Sequence, residues 1–204
     1  MKHMKLIIAS NNKHKIEEIK AILGVRFEKV LGMREAGLEL EVDEDADTLE
    51  GNAGKKAREV FALADSMNML ENGDAVLADD TGLLVDALDG APGVRSARYA
   101  TDGHDDAANC AKLMLNMRDV PEGRRGAHFA TAMVLARKGE PDVEATGRVY
   151  GVITREMLGN NGFGYDPLFY YEPMGKTFAQ MTEDEKNRVS HRKNALELIL
   201  AGLD

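Results

Sequence analysis

Cysteine is nearly missing from this chain of 204 residues: Cys110 is the only one. An intrachain disulfide is therefore impossible and a cysteine-rich metal site is excluded, which fits a reducing compartment such as the cytoplasm. No apolar run approaches the ~18 residues that a membrane helix needs. The opening MKHMKLIIAS has basic residues but too short an apolar stretch for a secretory leader, and no cleavage site follows. Cations are also scarce: 26 Lys and Arg stand against 35 Asp and Glu, giving a net charge of −9 and a pI near 5.1. A general nucleic-acid binder would show a basic surplus, so neither nucleic acid nor membrane is an expected partner. The deficit leaves room for a phosphorylated small molecule held by a few local lysines. Neither a Walker loop nor a dinucleotide fingerprint occurs, and there is no internal repeat or low-complexity linker.

What is present is ordinary for a globular enzyme: 44% hydrophobic and 30% charged residues. The length suits a single domain over 1–204, with or without two lobes sharing a core. Met4 offers an alternative start, so residues 1–3 are set aside from the fold.

Lys5 to Ala9 reads as a first strand and Asn12 to Leu23 as an amphipathic helix, with Ile16, Ile19, Ile22 and Leu23 at helical spacing. Residues 27–31 read as a weak strand, and the alternation of LELEV (38–42) reads as another. Asp47 or Thr48 caps a helix running to about Ser66. AVLADDTGLLVDAL (75–88) reads as two short strands about a turn at Asp80-Thr81-Gly82. Residues 105–117 are helical in pattern. Strands at 127–137 and 143–153 join through Gly139-Glu140-Pro141 as a hairpin, and 159–167 is a glycine-rich loop. Thr182 with Glu185 forms a capping box, and Ser190 caps a last helix ending near Leu200. Alternating strands and helices around a β hairpin give an α/β fold with a mixed sheet.

Four short stretches carry candidate chemistry. In ASNNKHK, Ser10, Asn12 and Lys15 sit where a strand hands over to a helix; free amides and the helix dipole make such turns anion sites. Taken alone, this stretch is better explained as an ordinary helix cap. In LADDTGL, Asp79 and Asp80 lie at the end of a buried-looking strand, where α/β sheets place ligands. A turn at Asp80 would bring both carboxylates to one side. With Glu44, from the acidic run EVDEDADT (41–48), they would suit a Mg²⁺ ion that keeps several waters and takes substrate phosphates. Common turn chemistry and a solvated acidic loop are the bland alternatives. In GFGYDPLF (162–169), aromatics among glycines let a planar ring approach the backbone, with Asp166 as an acceptor; a turn with core aromatics is the alternative. In EKNRVSHRKNAL (185–196), His191 and Arg192 fall in the first turn of the last helix, as donors toward an electronegative group or as a solvated basic start. Phosphate donors, metal carboxylates, a stacking slot and base-edge donors together describe a nucleotide-handling site.

In chain order, ASNNKHK, DDTGLLVDALDGAPGVRSARYA, GFGYDPLF and TEDEKNRVSHRKNAL resemble the inosine triphosphate pyrophosphatase family, the Ham1-like non-canonical purine nucleoside triphosphate pyrophosphatases. The likeness runs from about Met4 to Leu200. It implies a long twisted mixed sheet with flanking helices, in two lobes around a central cleft, in a homodimer. It also implies Mg²⁺-dependent hydrolysis of ITP, dITP and XTP to the monophosphate and pyrophosphate, which clears deaminated purines from the nucleotide pool. By the same resemblance Ser10, Asn12, Lys15 and Lys56 hold the triphosphate, with Thr81 beside them. Glu44, Asp79 and Asp80 associate with the metal, and Asp80 activates the attacking water. Phe163 stacks on the base, with Gly164, Tyr165 and Asp166 alongside, and Lys186, His191 and Arg192 read its edge. Gly51 and Gly54 depart from the family pattern, standing where a helix-friendly residue is usual. The rival readings are a Maf-like nucleotide pyrophosphatase of related fold, a nucleotide-binding module without turnover, and a metal-dependent phosphatase that releases inorganic phosphate.

Overall fold

The computed structural model describes residues 4–203; the segment 1–3, set aside above, lies outside the described residues. Seven strands form one mixed sheet in the order β2-β1-β3-β4-β5-β6-β7. Strand β1 (Lys5–Ile8) pairs in parallel with β2 (Lys29–Gly32) on one side and with β3 (Ala75–Val85) on the other. Strands β4 (Gly126–Arg137) and β5 (Val143–Ile153) are sheet neighbours, and the short strands β6 (Phe169–Tyr171) and β7 (Lys176–Thr177) extend the sheet antiparallel beyond β5. Only residues 138–142 connect β4 to β5, too few for the crossover that a parallel pair requires, so the expected hairpin is present.

Among the described residues five α-helices accompany the sheet: α1 (Lys13–Leu23), α2 (Leu49–Ser66), α3 (Asp106–Met117), α4 (Glu183–Val189) and α5 (His191–Ala201). Their starts follow from side-chain caps. Asn12, Thr48, Asp105 and Thr182 accept the amides of Lys15, Gly51, Ala108 and Glu185. Each satisfies a donor that the first helical turn leaves over. Ser190 is extended and separates α4 from α5.

Two compact units share the chain. One takes the described residues up to Asp80, Thr131–Gly147 and the chain from Lys193; the other takes Thr81–Ala130 and Arg148–Arg192. The first has a core of Leu6, Ile8, Ile19, Leu23, Leu77, Leu135 and Leu196. The second is built on Leu83, Leu113, Phe129, Leu168, Phe169 and Phe178. In it the Phe129 ring lies 4.8 Å from Phe169 and 5.9 Å from Phe178. Each fully buried side chain of this size removes enough apolar surface to contribute about 1.5–3 kcal/mol.

Two sequence expectations are corrected. Residues 38–42 form no strand. Leu38 is buried, but Leu40 is exposed and no strand pairs with the segment, so apolar alternation alone did not create a ladder. Residues 75–85 form one continuous strand rather than two about a turn, followed by a short 3-10 turn at Asp86–Leu88. Asp80-Thr81-Gly82 is turn chemistry by composition, but here it lies within the continuous β3, beyond the residues that pair with β1, in a strand that neighbours β4, and the sheet overrides the local preference.

Candidate active site

The first unit assembles lysines and carboxylates where β1 ends. Past Ile8 the chain stays beside β3, with the Ala9 amide donating to the Leu77 carbonyl at 2.8 Å. At the turn into α1, Ser10 Oγ accepts from the Asn12 amide at 3.1 Å and Asn12 Oδ1 from the Lys15 amide at 3.3 Å. Lys15 then reaches back to β3: its Nζ lies 2.8 Å from Asp79 Oδ1, and Asp79 is only 3% exposed. Lys56 arrives from α2, donating to the Asp79 carbonyl at 3.3 Å while also pairing with Glu44. The adjacent Lys55 points elsewhere, to Asp45 at 2.7 Å. One residue apart on the helix, the two lysines leave at different angles, and only Lys56 reaches β3.

Because β3 is unbroken, Asp79 and Asp80 project to opposite faces of the sheet. Asp79 meets Lys15 of α1, whereas Asp80 Oδ2 accepts from Asn52 Nδ2 of α2 at 3.0 Å. Asn52 was not anticipated from sequence. It is 1% exposed, and its Oδ1 also accepts the Ala46 amide at 2.9 Å, tying the acidic loop to the catalytic-candidate carboxylate. Its position four residues before Lys56, on the same helical face, was the available signal. Gly51 has a related role. A Cβ there would come within 2.8 Å of the Ala46 side chain, so the departure from a helix-friendly residue lets this loop pass close to α2.

Among the described residues, no group of three His, Cys, Asp or Glu is arranged to hold a metal ion. Glu44 pairs with Lys56 and Asp79 with Lys15. The donors that are present are carboxylate oxygens, which suit a hard divalent cation that retains water.

The second unit holds the aromatic and basic candidates. Phe163 is 61% exposed at the tip of the glycine-rich loop. Its amide donates to Asp166 Oδ2 at 2.9 Å, and Lys186 Nζ lies 2.5 Å from the same oxygen. The Lys186 ammonium also stands 4.6 Å over the Phe163 ring, within cation–π range. Burial pushes the Asp166 carboxyl above the usual carboxylate range, and Lys186 works in the opposite direction. Gly162 makes the arrangement possible: at φ +75° it is in the left-handed region, and a Cβ there would come 2.0 Å from Asp166 Oδ2.

Gly164 is gripped by α3, its amide donating to Asp106 Oδ2 at 2.8 Å and its carbonyl accepting from Cys110 Sγ at 3.3 Å. Burial raises the Cys110 thiol to about 11. Tyr165 is buried, and its hydroxyl donates to the Ser96 carbonyl at 2.7 Å, so it braces the loop from within. His191, the first residue of α5, is buried with its ring stacked 4.9 Å from Phe129, and Arg192 beside it is also buried. Thr81 is half-buried on β3. Thus Lys15, Lys56, Asp79, Asp80 and Glu44 gather in one unit, and Phe163 to Asp166, Lys186, His191 and Arg192 in the other.

Fold and site define an α/β protein that concentrates lysines and carboxylates where a parallel strand ends, as ligand-binding proteins of this class do. Residues 6–201 match the Ham1 family, and the chain belongs to that family. It is 44% identical to a dITP/XTP pyrophosphatase of Clostridium perfringens, over 95% of this chain and 94% of that protein. A dITP/XTP pyrophosphatase of Leuconostoc mesenteroides is 45% identical over the same shares of each chain. Among solved structures, the Staphylococcus aureus Ham1 protein superposes with a TM-score of 0.85 at 37% identity, covering 98% of this chain and 97% of that one.

Proposed function

We propose that this protein hydrolyses non-canonical purine nucleoside triphosphates (ITP, dITP and XTP) to the monophosphate and pyrophosphate, clearing them from the nucleotide pool. The observation that carries the reading is the convergence of Lys15 and Lys56 on Asp79, with Asn52 holding Asp80 on the opposite face of the same strand. Membership of the Ham1 family and the printed activity of its curated relatives support the substrate class.

In this mechanism Ser10, Asn12 and the first-turn amides of α1 receive phosphate oxygens, Thr81 adds a contact, and Lys15 and Lys56 exchange their carboxylate partners for the triphosphate. Before substrate arrives, those carboxylates keep the lysines ordered and partly neutralised, which limits the cost of burying them. Asp80, oriented by Asn52, accepts a proton from water as the water oxygen bonds to the α-phosphorus. The bond from that phosphorus to the bridging oxygen breaks, and Lys15 and Lys56 stabilise the charge on departing pyrophosphate. A divalent cation, Mg²⁺ in this reading, would be held by Glu44 with one of the two aspartates rather than by all three, because the unbroken strand sends Asp79 and Asp80 to opposite faces; when bound it would supply charge neutralisation at the phosphates.

Phe163 stacks on the base, flanked by Gly164, Tyr165 and Asp166, while Lys186, His191 and Arg192 read its edge. A 6-carbonyl accepts from these donors, whereas a 6-amino group would leave them unsatisfied, which is the strong form of discrimination. GTP also carries a 6-carbonyl, so its rejection rests on position 2. Homodimer assembly and a cytoplasmic setting complete the reading, with neither nucleic acid nor membrane as partner.

The test is a product assay with Mg²⁺ and, separately, ITP, XTP, GTP, ATP and dTTP. Pyrophosphate from ITP and XTP with little from GTP or ATP is the expected result. Inorganic phosphate as the product, preference for dTTP, or no turnover of ITP would replace the reading with one of its rivals.

A further inference from the structure

Phe163 is the most exposed aromatic of the proposed base site; its ring meets the Lys186 ammonium, and its position otherwise follows its backbone. That backbone is intrinsically loose. Gly162 and Gly164 flank it, both at positive φ, and a Cβ at Gly164 would meet nothing within 4 Å. Glycines of this kind lose more conformational freedom on ordering than any other residue, so the loop needs restraint from outside. Helix α3 supplies it from one face: Asp106 and Cys110, one helical turn apart, take the Gly164 amide and carbonyl respectively. The helix is itself anchored. Asn109, buried between them in sequence, accepts the Ala100 amide at 2.8 Å and donates to the Ala97 carbonyl at 3.0 Å. The same segment receives the Tyr165 hydroxyl at Ser96, whose Oγ accepts from the Leu83 amide of β3 at 2.8 Å.

We propose that Asp106 is a positioning residue for base selection: its carboxylate holds the peptide following Phe163 and so sets where that ring meets the purine. The inference rests on the proposed function and adds a residue to which that reading gives no role: Asp106 stands on α3 and acts only through Gly164. The Asp106 bond is the stronger half of the grip, because a carboxylate acceptor makes a charge-assisted hydrogen bond while a thiol is a weak donor. Stacking against Phe163 is present equally in the bound ground state and the transition state, so loosening it raises KM and leaves kcat alone.

The experiment compares wild type, Asp106→Ala and Asp106→Asn for KM and kcat with ITP, and for product inhibition by inorganic pyrophosphate, which carries no base. In Asp106→Ala, KM for ITP rises roughly five- to tenfold with kcat within twofold, and the pyrophosphate inhibition constant stays at the wild-type value. Asp106→Asn keeps an acceptor for the Gly164 amide and remains within about threefold of wild type. A thermal midpoint for each variant identifies a general loss of structure, which would move KM and pyrophosphate inhibition together. An unchanged KM in Asp106→Ala, a parallel shift in pyrophosphate inhibition, or equal loss in both variants overturns the inference while wild type still turns over ITP. Failure of wild type itself to turn over ITP overturns the proposed function instead.

Discussion

Removing the Asn52 side chain is the sharpest probe of the first unit. Asn52 is almost fully buried and makes two bonds in opposite directions, donating to Asp80 Oδ2 and accepting the Ala46 amide. Asn52→Ala removes both. The bond to the carboxylate belongs to the charged class, worth about 1.5–3 kcal/mol, and the one from the amide to the neutral class, worth about 1 kcal/mol. Together they predict a loss of roughly 2–4 kcal/mol. For a chain of this length each kcal/mol moves the thermal midpoint by about 2–4 °C, so a fall of roughly 4–16 °C is expected by calorimetry. Catalysis should fall further than stability suggests, because Asp80 would keep its charge but lose its orientation: kcat for ITP drops about 10- to 100-fold with little change in KM. Asn52→Asp separates the two roles. It retains the acceptor for Ala46 but faces Asp80 with a second carboxylate, and like charges raise the pKa of one of the pair. The acidic limb of the kcat profile should therefore move to higher pH, so that activity is lost at pH values where wild type still works. A midpoint within 2 °C of wild type and a kcat within about twofold for Asn52→Ala would refute the account of Asp80 given above.

Further substitutions probe other parts of the site. Lys15→Met leaves the buried Asp79 carboxylate without its lysine and should cost about 2–4 kcal/mol in denaturant unfolding; adding Asp79→Leu should recover part of the stability but none of the pyrophosphatase activity. Gly162→Ala places a methyl group against Asp166 at a positive φ and should raise KM for ITP at least tenfold while kcat changes less, read from initial rates. The Cys110 thiol, raised from 9.0 to about 11, should hold about a hundredfold less thiolate at pH 8 than an ordinary cysteine. Alkylation should be slow in the native protein and fast in denaturant; equal rates in both would contradict its burial.

The sequence by itself determined what local chemistry controls. Cap residues at Asn12, Thr48 and Thr182 announced three helices, because a hydroxyl or amide beside a helical start satisfies its first donors wherever the rest of the chain goes. Glycines in GFGYDP announced a loop, and the quoted segments announced the family. Only the tertiary structure decided the remainder. Asp80-Thr81-Gly82 runs on within the continuous β3, a neighbour of β4 in the sheet, instead of turning, and that strand sends the Asp79 and Asp80 side chains to different helices. LELEV alternates as a strand should, but a ladder needs a partner and none pairs with it. Asn52 and Asp106 carry no motif. They matter because folding brings α2 beside Asp80 and α3 beside Gly164, contacts between residues 28 and 58 positions apart. Capping and turn chemistry act over three or four residues and can be read from the chain; pairing partners and long-range acceptors are fixed by the packing that buries the core.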